Sequence, residues 1–279
     1  MMTARFRRFA LGALCAAGTG SCVQVLGIEE DRYLVEAPRP VDRWGCFNTT
    51  PPTTTNQEVT LIALDLLNTP ALSESELDGP RVAEASVRAC TPFDTECRSP
   101  IMNTITTTDA QGTARLPIPA AFEGYIEVVN PTFFPRIVYD DRLKTGLGAG
   151  YALAALFNKQ IFSGIIPMIF DVGLEETGGF IYAEVYDCQG KFAEGVSFEI
   201  ERTQATTRAF YTVEGVPNPT ELETRGTRGG GFINAPPGSY RLTSKLRATG
   251  QVLSTNTIAV RGGWDTTVFI GPNRAQAAR

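Results

Sequence analysis

The chemistry open to this chain is bounded first by an absence: its 279 residues include no histidine. A Ser-His-Asp triad, a Cys-His dyad, an HExxH zinc site and any histidine acid–base step are excluded. Two pairs of adjacent acids remain, Asp140/Asp141 and Glu175/Glu176. Neighbours on a strand point to opposite faces, so neither pair converges as catalytic carboxylates must, and a solvated loop is the expected setting. Asp140/Asp141 also lacks the alternating acids of a calcium loop. Arg228-Gly229-Gly230-Gly231 has the glycines of a phosphate cradle, but no Lys-Ser/Thr and no helix follow, so it reads as a flexible hairpin. Phe133 and Phe134, between Pro131 and Pro135, form an aromatic tip. Exposed, such a tip stacks on sugar rings; the other reading places it at a contact between two halves of the fold.

The cysteines carry the next chemistry. There are six, at 15, 22, 46, 90, 97 and 188, and no pair has the CxxC spacing of a zinc site. Cys90 and Cys97 bracket Thr91-Pro92-Phe93-Asp94-Thr95-Glu96, a Pro/Asp turn across which a local bridge is easy. With Cys15 in the N-terminal leader and Cys22 a candidate for lipid, Cys46 remains to pair with Cys188, which would pin the segment after Trp44 onto the second half of the chain. Free buried thiols are the alternative. An even set of cysteines suits an exported protein.

The N-terminus agrees with export. Arg5, Arg7 and Arg8 precede a short apolar stretch, Phe9–Ala17, and the small residues Thr19-Gly20-Ser21 lead into Cys22. This is the pattern of a secretory signal peptide, too short for a spanning helix. Thr19-Gly20-Ser21-Cys22 resembles a bacterial lipobox, with Thr19 where Leu or Val is usual. The resemblance implies that Cys22 becomes the lipidated first residue; plain secretion is the alternative. Acyl chains would hold the protein at a membrane without a transmembrane helix.

The elements behind these residues read as strands. Hydrophobic residues make up 43% of the chain, charged residues 20%, and net charge is −5, an ordinary globular balance with no nucleic-acid footprint. Residues 23–57 are poor in periodicity and hold the run Asn48-Thr49-Thr50-Pro51-Pro52-Thr53-Thr54-Thr55-Asn56, a spacer by its composition. From residue 58, short alternating or β-branched runs are bounded by turns such as Asp109-Ala110-Gln111-Gly112, read as a hairpin-type turn, and Asp187-Cys188-Gln189-Gly190. The most apolar stretch, 146–170, is interrupted at Asn158-Lys159-Gln160. Residues 151–157 read there as one short helix between the halves.

The halves repeat one another. Val82-Ala83-Glu84-Ala85-Ser86-Val87 corresponds in kind to Phe192-Ala193-Glu194-Gly195-Val196-Ser197-Phe198, and Ile118–Tyr125 to Ala235–Tyr240. The order, with Thr108-Asp109-Ala110-Gln111-Gly112 and Pro237-Gly238-Ser239-Tyr240-Arg241-Leu242, resembles carboxypeptidase regulatory-like domains. The arrangement as a whole resembles two-domain bacterial envelope lipoproteins. Phe192 stands where proline is usual, and the second repeat lacks the aspartate before its glycine-rich turn. The resemblance implies an all-β fold of two transthyretin-like Greek-key β-sandwich domains joined by a short helical segment. Its expected layout is a signal peptide at 1–21, anchor and linker at 22–57, a first domain at 58–142, a connector at 143–177, a second domain at 178–273 and a tail at 274–279. It also implies an accessory role with no catalytic residue, cofactor or metal. The expectation is a cell-envelope lipoprotein, outer-membrane anchored, that meets an envelope protein or a glycan, with a carbohydrate-binding module as the alternative.

Overall fold

The computed structural model describes residues 43–48, 57–66, 79–119, 122–144, 151–213, 216–226 and 229–271. The signal segment 1–21, Cys22, the Thr/Pro run from residue 49 on and the tail at 274–279 lie outside the described residues. In chain order the strands are β1 (Gln57–Asp65), β2 (Ser86–Cys90), β3 (Thr106–Thr107), β4 (Thr113–Ile118), β5 (Tyr125–Val129), β6 (Arg136–Asp140), β7 (Tyr151–Leu156) and β8 (Gly179–Val185). They continue with β9 (Val196–Ile200), β10 (Arg208–Val213), β11 (Val216–Asn218), β12 (Gly230–Ala235), β13 (Gly238–Leu246), β14 (Val252–Val260) and β15 (Asp265–Ile270). The helices are α1 (Asp141–Lys144) and α2 (Lys159–Phe170), with a 3₁₀ turn at Gly45–Asn48. The fold is all-β, as the sequence predicts.

The strands make a central sheet of nine, β11-β10-β12-β8-β15-β6-β5-β2-β3, and two sheets of three, β4-β1-β7 and β14-β13-β9. On one face of the central sheet, Val59, Leu61 and Ala63 of β1 and Leu116 of β4 share a core with Val87, Ile126 and Val138. Farther along that same face, Phe162, Ile166 and Phe170 of α2 cover Phe180, Phe210 and Ile233. On the other face, Tyr240, Leu242, Ile258 and Val260 close over Ile181, Ala183, Ile137 and Val268. Period-2 alternation explains how one strand serves both covers: Val138 faces the β1 side while its neighbours Ile137 and Tyr139 face the β13 side.

Strand β15 joins the halves. It pairs parallel with β6 of the first half, Asp265↔Arg136 to Phe269↔Asp140, and parallel with β8 of the second, Asp265↔Phe180 to Ile270↔Val185. The sandwiches therefore share their middle layer, and Asp42–Arg279 is one compact unit. That sharing was not visible in the repeat pattern, because the pairing partner of a short apolar run is a tertiary property.

Three local readings change. Residues 151–156 are not a helix but β7, parallel to β1 from Thr60↔Tyr151 to Asp65↔Leu156. Ala152, Ala154 and Leu156 are fully buried there, and sheet packing overrides the helix propensity of alanine. The helix begins where the apolar run was broken: Asn158 is its N-cap, its Oδ1 accepting from the Gln160 and Ile161 amides at 3.0 and 3.2 Å. The Asp109 turn is not a hairpin, since β3 pairs with β2 and β4 with β1, so the chain changes sheet there. Its carboxylate still accepts the Gln111 and Thr113 amides, both at 2.9 Å. The Asp187 turn does the same for Gln189 and Lys191.

Candidate functional site

The repeated Ala-Glu motif is a clasp. In the first half, Thr108 Oγ accepts from the Ala85 amide and donates to the Val82 carbonyl, while the Glu84 amide donates to the Thr108 carbonyl and the Thr108 amide to Ala85. In the second half, Thr224 Oγ accepts from Val196 and donates to Ala193, the Gly195 amide donates to Thr224, and the Thr224 amide to Val196. The motif residue that must adopt positive φ is Glu84 at 56° in one copy and Gly195 at 75° in the other. This motif orders backbone through Thr108 and Thr224.

The run at 228–231, read as a flexible hairpin, instead enters a buried strand that pairs with β10 and β8. Gly230 and Gly231 belong to β12 and are buried. A Cβ on Gly231 would stand 1.8 Å from the Ile181 carbonyl, and one on Gly230 would stand 2.5 Å from both the Phe210 carbonyl and the Tyr211 ring. Strands β8, β10 and β12 approach here in a way only glycine allows.

Two buried ion networks lie on opposite faces of the central sheet. On the β13 side, the fully buried Glu127 of β5 accepts from Arg88 Nε at 2.6 Å through Oε2 and pairs with Arg261 Nη1 at 2.5 Å through Oε1. Arg261 also donates to the Tyr125 hydroxyl at 2.9 Å and to the Thr95 carbonyl at 2.6 Å, and its guanidinium lies 4.6 Å from the Trp264 ring centroid. Tyr125 donates in turn to the Asp94 carbonyl. Burial pushes its hydroxyl up to about 12, with Arg261 opposing. Asp94 and Thr95 lie in the loop closed by Cys90–Cys97, so the disulfide holds two acceptors of this network in place. Cys90, Cys97 and Glu127 are the one grouping of potential metal ligands among the described residues. With both sulfurs bonded to each other and both carboxylate oxygens facing guanidiniums, it does not suit a cation.

On the opposite face, Arg136 of β6 and Asp265 of β15 stand side by side in register as a buried ion pair. Arg136 also lies over the Phe157 ring, 5.1 Å from its centroid. Burial pushes the Asp265 carboxyl up to about 6, against the pull of Arg136. Asp265 lines a cleft with Phe134, Phe157, Phe162, Phe180 and Trp264 whose cavity volume is about 20 Å³. That is room for about one water molecule, far from the roughly 300 Å³ where ligand pockets begin.

The other predicted residues are placed as follows. Cys46–Cys188 and Cys90–Cys97 are bonded, with Cα separations of 5.7 and 5.4 Å. The first ties the 3₁₀ turn to the Asp187 turn, and Trp44 and Phe47 rest on the core beside it. Arg43 adds a 2.9 Å ion pair to Asp187. Phe133 and Phe134 do not form an exposed tip: Phe133 is 8% exposed, in the core beneath β1, and Phe134 meets Phe162 edge-on at 5.8 Å. Their flanking prolines signalled a turn, and the turn packs inward because Phe133 bridges to Asn158 at the start of α2. Asp140 is buried at the end of β6 rather than solvated, and Asp141 opens α1. Glu175 accepts from Gln204 Nε2 at 2.8 Å. The charged residues of both networks went unnoticed in the sequence; the available signal was a lone charge inside an apolar strand, as in Tyr125-Ile126-Glu127-Val128.

No protein-family model matches this chain, and no curated protein matches it. Among solved structures, the TIE protein of Bacillus anthracis is similar at 10% identity and a TM-score of 0.22, over 79% of this chain and 34% of that one. The chain thus spans about a third of that protein's length. Shaft pilin SpaA of Lactobacillus rhamnosus GG is similar at 10% identity and a TM-score of 0.25, over 78% of this chain and 98% of its own. Scores of this size describe no common chain path, so function is argued from the residues of this chain alone.

Proposed function

We propose that this chain is an exported cell-envelope lipoprotein, anchored through Cys22, whose β-sandwich layers act as a non-catalytic structural or protein-binding module of the carboxypeptidase regulatory-like, transthyretin-like type. One observation carries the reading: all four cysteines beyond Cys22 are paired, one bridge closing a local loop and the other joining positions 142 residues apart. Such bonds persist in oxidising compartments, and the basic, apolar, small-residue leader is a route to one. The non-catalytic part is supported by how charge is used. Glu127 is neutralised by Arg88 and Arg261, and Asp265 is paired with Arg136, which commits both carboxylates to contacts within the fold. The glycan alternative gains no support from Phe133 and Phe134, which pack inward.

The test is export and lipidation in a bacterial host fed an alkyne-tagged fatty acid. The reading expects the native chain to take up the tag and to fractionate with membranes. The Cys22→Ser variant should lose the tag and stay soluble. A native chain that is untagged, or that remains in the cytoplasm with its thiols reduced, defeats the reading.

A further inference from the structure

The two disulfides sit in opposite settings. Cys90 and Cys97 are 0% and 1% exposed, sealed in one core with Tyr125 and Ile137. Cys46 and Cys188 are each partly exposed, Cys188 in the Asp187 turn and Cys46 in the 3₁₀ turn Gly45–Asn48. A dithiol in solvent therefore reaches the second bridge in the folded protein, and the first only after the core opens. The Cys46 amide donates to Cys188 Sγ at 3.1 Å. That hydrogen bond favours Cys188 as the departing thiolate and directs attack to Cys46 Sγ. The neighbouring carboxylate of Asp187 is held by Arg43, which offsets its repulsion of an approaching thiolate.

The bridge fastens a strap. Across residues 43–48 the Cys188 amide donates to the Arg43 carbonyl at 3.0 Å, Arg43 pairs with Asp187, and Trp44 and Phe47 rest partly buried on the core. The Arg43 side chain is 44% exposed, so its ion pair holds weakly. Ordering six residues on a surface loses chain entropy that contacts of this kind repay only in part. The covalent link is the strongest of the strap's attachments and the one a reductant removes.

We infer that Cys46–Cys188 is a thiol-exchange site, a redox-sensitive clasp that releases the strap 43–48 while the rest of the fold stays closed. One thiolate of a dithiol attacks Cys46 Sγ, the Cys46–Cys188 bond breaks, and Cys188 leaves as a thiolate that takes up a proton. The second thiolate of the reductant then displaces Cys46. Two electrons and two protons pass to the protein's cysteines, and the dithiol departs as its own disulfide. Resting on the anchor reading, the consequence is reach. Closed, the chain from Cys22 meets the body at Cys46; open, it runs on to Gln57, where β1 begins. Fully extended, the tether lengthens from roughly 80 to roughly 120 Å.

The test uses the oxidised full chain carrying Cys15→Ser/Cys22→Ser, so that no other thiol exchanges and lipidation plays no part in the outcome. The folded protein is titrated with dithiothreitol, alkylated and mapped by mass spectrometry, and trypsin cleavage after Arg43 is timed. Cys46 and Cys188 should be alkylated together while Cys90–Cys97 stays bonded, which also shows that the core has not unfolded. Cleavage after Arg43 should speed up about tenfold, as its carbonyl loses the Cys188 amide. Tryptophan emission should shift to the red, and Trp44→Phe should abolish the shift. Opening of Cys90–Cys97 first, joint opening of both bridges, or a Cys46–Cys188 bridge that yields only in urea overturns the inference. So does a reduced protein that keeps its protection at Arg43 or its emission, since the strap would then stay docked without its bridge.

Discussion

Glu127 is fully buried with a guanidinium on each oxygen, so removing its charge while keeping its shape isolates the electrostatics. Glu127→Gln strands Arg261, which is only 9% exposed, and should cost about 3 kcal/mol, read as a lowered urea midpoint. An unchanged midpoint would mean that solvent reaches this junction. Asp265 behaves differently. Its folded value of about 6 stands above its reference value of 3.8. Between the two the native state binds more protons than the unfolded one, so stability should fall as pH rises through that window and level off above it. The loss is on the order of 3 kcal/mol. Asp265→Asn should remove that slope; denaturation curves from pH 4 to 7 that keep it in the variant would assign it to another group. Because the amide mimics the protonated acid, the variant should keep at pH 7 the stability that the parent holds only at lower pH.

At the scale of elements, the two Thr clasps make the internal repeat physical. Thr108→Val and Thr224→Val each strand one buried amide, of Ala85 and Val196, and should cost about 1–3 kcal/mol apiece by thermal or chemical denaturation. Gly195→Ala should destabilise by about 1 kcal/mol, whereas Glu84→Gly should be neutral or slightly stabilising, since both positions hold positive φ. Unequal outcomes for the two threonines would break the equivalence. The Ala-Glu repeat marks the clasps one residue out of register, since Val82 and Ala85 correspond in their bonds to Ala193 and Val196, whereas the Asp-x-x-Gly turns were legible as turns, because local hydrogen bonding and φ act over a few residues. The strand at 151–156 was not, since alanine's helix preference yields there to pairing with β1. The two ion networks were not legible either: Glu127, Arg261 and Arg88 meet only through the register of β2 with β5 and the turn after β14.

For the whole molecule, β15 hydrogen-bonds to both halves, so they should not melt apart. Calorimetry should give one transition with equal calorimetric and van't Hoff enthalpies; two resolved transitions would show that the shared sheet does not couple the halves. The disulfides should rank by loop length. Cys46→Ala/Cys188→Ala opens a closure of 142 residues and should cost about 5 kcal/mol. Cys90→Ala/Cys97→Ala opens one of 7 and should cost roughly 2–3. The reverse order would mean that the short bridge acts chiefly by holding the Asp94–Thr95 acceptors of the Glu127 network.

The most direct test of the export reading is peptide mapping by mass spectrometry of the protein isolated from a bacterial envelope without reduction. The account predicts an N-terminal peptide beginning at acylated Cys22, one cross-linked pair of peptides holding Cys46 and Cys188, and an internal Cys90–Cys97 bridge. A chain that still begins at Met1, with free thiols at those four positions, would contradict it.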